Sequence, residues 1–233
     1  MPTDLRGWNV IDAERAVLWR EYEFAKGAFA TTLVFRGTDG LVVVSPGKGL
    51  EEADYDVLSR FGEVRALIAN NTFHHLGQGP WRARFPKAES YAAAPGLPRL
   101  RKKAAAVPWR SLDELALPPT VKVHVLPGFK NGEVLFSVGT KQGSLWYTGD
   151  LLTNIQRTPG PPAKWLLSWT DSAPGFRLFR PAVWLFVNDK RVLKERMNAL
   201  LAEDPPAIVV PAHGPAFMAA QLVSEAKTQI ARL

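Results

Sequence analysis

The spacing of hydrophobic residues changes period several times along this chain. Residues 31–36 (TTLVFR) and 41–45 (LVVVS) are apolar, β-branched runs on either side of Gly37-Thr38-Asp39-Gly40. Such a pair around a short Gly-bearing turn predicts a β-hairpin, which Pro46-Gly47 ends. Residues 51–61 predict a short helix stopped by Gly62, and 64–69 (VRALIA) a buried strand. A polar connection follows at 70–79 (NNTFHHLGQG), then a strand at 87–92 and a basic helix at 97–106. Residues 121–126 (VKVHVL) alternate as a half-buried strand does. Strands at 133–138 and 144–148 come next, the second ended by Gly149-Asp150. Residues 155–186 carry Pro159, Pro161, Pro162, Pro174 and Pro181 together with Trp165, Trp169 and Trp184, and predict an irregular insertion. An amphipathic helix at 189–201, a buried strand at 207–210 (AIVV) and a terminal helix at 215–233 complete the pattern.

Strands come first in a meander and then alternate with helices in both halves. That order suits an α/β protein in which two sheets pack face to face with helices outside. No internal repeat or linker-like change of composition interrupts residues 1–233, which read as one domain.

Composition narrows the chemistry more than the fold. The apolar fraction of 46% and charged fraction of 22% are ordinary for a soluble globular protein. There is no cysteine, which excludes disulfides, thiolate metal sites and a cysteine nucleophile. His, Asp and Glu remain as metal ligands. The start, Met-Pro-Thr-Asp-Leu-Arg-Gly-Trp, lacks a basic-then-apolar leader, and no run approaches about 18 apolar residues. A cytoplasmic protein with no membrane partner is the expectation. Net charge is +7, and eight basic residues against Glu89 alone fall between Trp81 and Arg110. That stretch reads either as a solvated helix face or as attraction for an anionic small-molecule substrate or nucleic acid. No familiar RNA-binding signature accompanies it, and nothing in the sequence speaks to oligomeric state.

Of the four histidines, three sit in loops that follow predicted strands or open helices, where α/β architectures gather site residues. Asp150 also ends a strand. Loops from separate strands can thus bring His74, His75, Asp150 and His213 to one sheet edge. His124 lies on the Lys122 face of its strand, opposite Val121, Val123 and Val125, and reads as a non-ligand. A structural reading stands beside each candidate. His74-His75 would be a helix-opening pair bonded to backbone or water, Asp150 a turn or N-cap residue, His213 a cap or buried hydrogen bond, and the tryptophans packing.

Asn70-Asn71-Thr72-Phe73-His74-His75 resembles the His-x-His-x-Asp-His motif of the metallo-β-lactamase superfamily, with Asn70 and Thr72 at the first two histidines, His74 at the aspartate and His75 at the last histidine. Leu126-Pro127-Gly128-Phe129 is similar to the family's Pro-Gly-His segment, with Phe129 at the histidine. Thr148-Gly149-Asp150 is similar to the strand end that supplies the bridging aspartate, and Pro211-Ala212-His213-Gly214 to the late Pro-Gly-His-Gly. The landmarks keep their order over roughly residues 30–215.

The resemblance implies an αβ/βα sandwich. It also implies that one of the family's two metal positions is lost through Asn70, Thr72 and Phe129, while the other survives as His74, His75, Asp150 and His213. The expectation is one divalent ion, zinc first, with iron and manganese suited to the same donors. It would activate water against an ester, thioester, lactone or phosphoester, with Asp150 and His74 catalytic and His74 available as a base instead of a ligand. The insertion would cover the metal edge as a lid, with Trp165, Trp169, Arg157 and Lys164 toward substrate and Arg177 and Arg180 toward an anion. Two alternatives stand: a catalytically inactive protein that binds a ligand or partner through the lid, and a mononuclear iron or manganese redox protein. The missing ligands argue against β-lactam hydrolysis itself.

Overall fold

The computed structural model describes residues 5–158 and 160–233. Residues 1–4 and Pro159, on which the expectations for the N-terminus and the insertion partly rest, lie outside them. The chain opens with two strands that the hydrophobic pattern did not announce, β1 (Asn9–Asp12) and β2 (Val17–Ala25). The predicted hairpin follows as β3 (Ala28–Arg36) and β4 (Leu41–Val44). Next come α1 (Glu52–Ser59), β5 (Val64–Ala69), α2 (Gln78–Arg84), β6 (Glu89–Ala92), α3 (Leu97–Lys103) and β7 (Trp109–Ser111). The seven strands form one sheet in chain order, antiparallel from β1 to β4 and parallel from β4 to β7.

The second half supplies β8 (Val121–Val125), β9 (Val134–Thr140), β10 (Gly143–Tyr147), β11 (Leu152–Ile155), α4 (Ala163–Trp169), β12 (Gly175–Leu178), α5 (Arg180–Phe186), α6 (Lys190–Glu203), β13 (Pro206–Val210) and α7 (Leu222–Ala231). The second sheet has the order β13-β10-β9-β8, with β13 parallel to β10 and the rest antiparallel.

The period-2 alternation of strands explains the layers. Val42 and Val44 of β4 point into a core shared with Phe136 and Val138 of β9, and the rings of Phe35 and Phe136 meet there at 6.1 Å. Leu41 and Val43 point the other way, against Val57, Leu58 and Trp81 of α1 and α2. Leu135, Trp146 and Val209 of the second sheet likewise turn outward, onto Leu193, Met197 and Leu200 of α6 and Ile230 of α7. Strands covered on both faces read as continuous apolar runs, as LVVV and AIVV do. The result is helix, sheet, sheet, helix.

Two sequence expectations are corrected. The segment read as irregular holds α4, β12 and α5, and β12 pairs with β11. The terminal helix begins at Leu222 rather than 215, because Phe217 exchanges two backbone hydrogen bonds with Val209 (3.0 and 2.7 Å) and so extends the edge of β13. Among the described residues no helix is long and apolar enough to cross a membrane.

Candidate metal centre

Three strand ends deliver the site. After β5 the chain turns at Asn70-Asn71. The Asn71 side-chain oxygen accepts the Phe73 N–H at 2.8 Å, and the Thr72 N–H reaches the Asn131 carbonyl at 3.1 Å. This turn throws His74 inward, where it is buried. After β10, Gly149 adopts a positive φ of 54° and presents Asp150. A Cβ at Gly149 would lie 1.9 Å from Glu133 Oε1, so only glycine fits. After β13, Ala212 donates its N–H to the Gly149 carbonyl at 3.0 Å, which sets His213 beside Asp150.

Asp150 Oδ1 is 3.0 Å from His74 Nε2 and 3.1 Å from His213 Nε2. The three candidate ligand atoms lie within 4.8 Å of one another. The protonation of His213 is constrained. Its Nδ1 lies 2.7 Å from the Phe29 carbonyl, which can only accept, so Nδ1 carries the proton. A neutral His213 therefore turns its Nε2 lone pair toward a carboxylate oxygen. Such a contact needs a second proton or a cation between the two atoms. Burial lowers the His213 pKa, but the hydrogen bond and charge of Asp150 outweigh it and raise it above 6.5. For Asp150 burial acts upward, and the charge of His74 and the hydrogen bonds of His213 and His74 hold the carboxyl well below its usual range.

The donor set fits a divalent metal. Ligands about 2.1 Å from a shared zinc ion stand about 3.0–3.4 Å from each other, and both observed Asp–His separations fall there. The Phe29 carbonyl holds the His213 ring as an outer partner would hold a ligating imidazole. His74 Nδ1 is buried with no hydrogen-bond partner. Three such ligands would leave a coordination position open, as catalytic zinc sites do.

The sequence missed Glu133, which is fully buried just before β9. Its Oε1 accepts from Asn70 Nδ2 at 2.9 Å and from the Asp150 N–H at 3.0 Å. Its Oε2 accepts from Asn71 Nδ2 at 2.8 Å and Asn131 Nδ2 at 3.4 Å. Asn71 Nδ2 also donates to Asp150 Oδ2 at 2.8 Å. Glu133 thus grips Asp150 by its backbone and, through Asn71, by its carboxylate. Burial, then the Asp150 charge, push the Glu133 carboxyl above its ordinary range against the pull of these donors. The only sequence signal was an acidic residue opening an otherwise apolar strand.

The other predicted residues lie as follows. His75 stays outside the group of three. It is half-buried, and burial followed by the Lys103 charge lowers its pKa. Trp165, Trp169 and Lys164 stand exposed on α4, and Arg157 is exposed beyond β11. The aromatic rings flanking His213 are Phe24 and Phe179, at 5.7 and 6.1 Å. Asn70 Oδ1 accepts from Ser45 Oγ at 2.6 Å, and Phe129 packs with Leu126 and Leu135 in the outer core.

No family model and no curated protein matches the sequence. Solved structures do. DIM-1 metallo-β-lactamase exposed to ceftazidime is 12% identical over 99% of each chain, with a TM-score of 0.60. A diflavin flavoprotein from Nostoc sp. PCC 7120 is 12% identical over 97% of this chain and 94% of that one, at 0.62. The metallo-β-lactamase FIM-1 from Pseudomonas aeruginosa, in a mono-zinc form, is 12% identical over 97% and 94%, at 0.58. The chain has the metallo-β-lactamase fold.

Proposed function

We propose that this metallo-β-lactamase-fold protein is a metal-dependent hydrolase. His74, Asp150 and His213 hold a single divalent ion, zinc first among the candidates, and the substrate is an ester, thioester, lactone or phosphoester. The observation that carries the reading is the meeting of two imidazole nitrogens on one carboxylate oxygen (3.0 and 3.1 Å), with the proton of one ring committed elsewhere. That arrangement needs either a second proton on His213 or a cation between the atoms, and a divalent ion would satisfy both imidazoles at once. A mono-zinc form of FIM-1 exists on the same fold.

Each residue has a part. The Phe29 carbonyl fixes the His213 ring so that Nε2 faces inward. Asn71 occupies Asp150 Oδ2 and leaves Oδ1 as the ligand atom. Glu133 holds the Asp150 backbone and steadies the loop. Phe24 and Phe179 shield His213 from solvent. A divalent ion on this set supplies Lewis acidity and a bound water with a pKa lowered toward about 7. With one carboxylate among the ligands, a formal charge of about +1 remains to stabilise an anionic transition state.

The test is elemental analysis of protein purified without added metal or a His tag, beside Asp150→Ala and His213→Ala. A single ion per chain, absent from both folded variants, is expected, followed by turnover in a screen of the four substrate classes. No ion after incubation with zinc, iron and manganese would overturn the reading in favour of a binding protein on this fold. A bound iron or manganese ion without hydrolysis would favour redox chemistry.

A further inference from the structure

Among the described residues, two consecutive helices expose a cluster of large apolar side chains. On α4, Trp165 (68% exposed) and Trp169 (77%) stand one turn apart, with Leu166 beside them. On α5, Trp184 and Leu185 (66%) project outward while Pro181, Ala182 and Val183 are buried. The rings of Trp169 and Trp184 touch edge-on at 5.8 Å, which joins the two helices into one surface. The surface continues through Phe186 to Phe73, whose rings are 5.1 Å apart. Scattered exposed apolar residues are ordinary, but a contiguous patch with three tryptophans marks an interaction site.

The charges around the patch say what covers it. Between Gln156 and Arg191 the chain carries six basic residues against Asp171 and Asp189, and two of the six, Arg177 and Arg191, are paired with Asp171 and Glu195. Both aspartates are engaged within the protein. Asp171 pairs with Arg177 and Arg232, and Asp189 caps α6 through the Val192 N–H. Lys164 and Lys190 have no ion pair among the described residues. Nor do Arg99 and Lys103, which stand over the Phe73 ring at 5.1 and 4.6 Å. The patch is therefore apolar and aromatic at its centre and cationic at its rim. A second copy would set cation against cation. An anionic lipid surface supplies both complements, acyl chains for the leucines and indoles and headgroup charge for the rim. Tryptophan, apolar with one N–H, is enriched at such interfaces.

We propose that α4 and α5 dock the protein on an anionic lipid surface. Docking lies on the surface, not across it, and is compatible with the lack of a spanning helix among the described residues. It brings the metal centre close to the lipid, since Phe179, which opens α5, packs on His213.

Vesicle sedimentation of the full chain tests this, using phosphatidylcholine alone and phosphatidylcholine mixed with phosphatidylserine. The protein is expected to sediment with the mixed vesicles, with its tryptophan emission shifted to the blue, and to be released by salt. Trp165→Ser/Trp169→Ser/Trp184→Ser should weaken partitioning by about tenfold or more. Lys164→Gln/Lys190→Gln/Lys103→Gln should abolish the preference for phosphatidylserine. Circular dichroism should be unchanged in both, because every altered side chain is exposed. Wild-type protein left in the supernatant with both vesicle types overturns the proposal, as does equal sedimentation of the tryptophan variant. Concentration-dependent dimerisation that the tryptophan variant abolishes, without vesicle binding, overturns it in favour of an interface between copies.

Discussion

Two buried aspartates sit at comparable depth in this molecule, Asp54 at 3% exposure and Asp150 at 7%. Their partners differ in kind. Asp54 receives Arg20 at 2.8 Å, Arg6 at 3.0 Å and the Glu51 N–H at 2.8 Å. A guanidinium is always charged and only donates, so this cluster is charge-balanced without any added proton or ion. Asp150 receives two imidazoles, one with its proton already given to the Phe29 carbonyl. That cluster needs a further proton or cation. Burial does not separate a structural carboxylate from a site; the lone pairs of its partners do.

Exchanging the two residues' fates is the sharpest test. Asp150→Ala is expected to lose the bound ion entirely and, with it, any rise in melting temperature on adding metal. Asp54→Ala should keep the ion and lose about 2–4 kcal/mol, since it leaves Arg20 and the capping-box N–H without their acceptor. Elemental analysis and denaturant melts of both variants read this out. An Asp54→Ala protein without metal would break the comparison.

Glu133 probes what stands behind Asp150. Truncation to alanine strands the Asn70, Asn71 and Asn131 amides and the Asp150 N–H in a dry interior. The expected cost is about 2–4 kcal/mol, read from urea melts in excess chelator. A smaller effect follows from Asn71→Ala, which frees Asp150 Oδ2 and removes the acceptor of the Phe73 N–H in the turn that leads to His74. Metal affinity should fall about 10–100-fold, the usual consequence of losing an outer-sphere partner, measured by competition with a chromophoric chelator. Unchanged affinity would mean that the backbone orients Asp150 and His74 without Asn71.

These residues differed in how legible they were. The grouping of His74, Asp150 and His213 was legible because each follows a strand end and carries an atom able to bind a metal. His75 could not be separated from His74, because sequence does not say which of two adjacent side chains a turn throws inward. That depends on Asn71 capping the Phe73 N–H. Glu133 looked like the charged flank of an apolar strand, and only the fold brings it to Asn70. The strand β2 was masked by Arg20, a cation whose partner, Asp54, lies on a distant helix. In the insertion, proline and tryptophan hid two short helices whose outward faces are apolar, so burial periodicity gave no signal there.

The smallest expected effect concerns the charge of Asp54 alone. Burial acts to raise its pKa, but the hydrogen bond of Arg20, the Glu51 N–H and Arg6 together lower it below 3.8. A carboxylate with a depressed folded pKa contributes stability that is fully present above its unfolded value and is lost as the pH falls through the folded one. Asp54→Asn keeps the shape and removes the charge. The wild type should therefore exceed the variant by about 1–2 kcal/mol near neutral pH, toward the lower figure because Arg6 is 37% exposed and screened by solvent. The difference should shrink as the pH drops below 3.8 and vanish once it passes the lower folded pKa, where the wild-type carboxyl also becomes neutral. Urea melts of both proteins in chelator across that range measure it, with the metal-dependent contribution of Asp150 held out. A difference that stays constant with pH would mean that Asp54 acts by packing and hydrogen-bond geometry. In that case charge would no longer distinguish the two clusters, and the contrast would rest on the imidazole lone pairs alone.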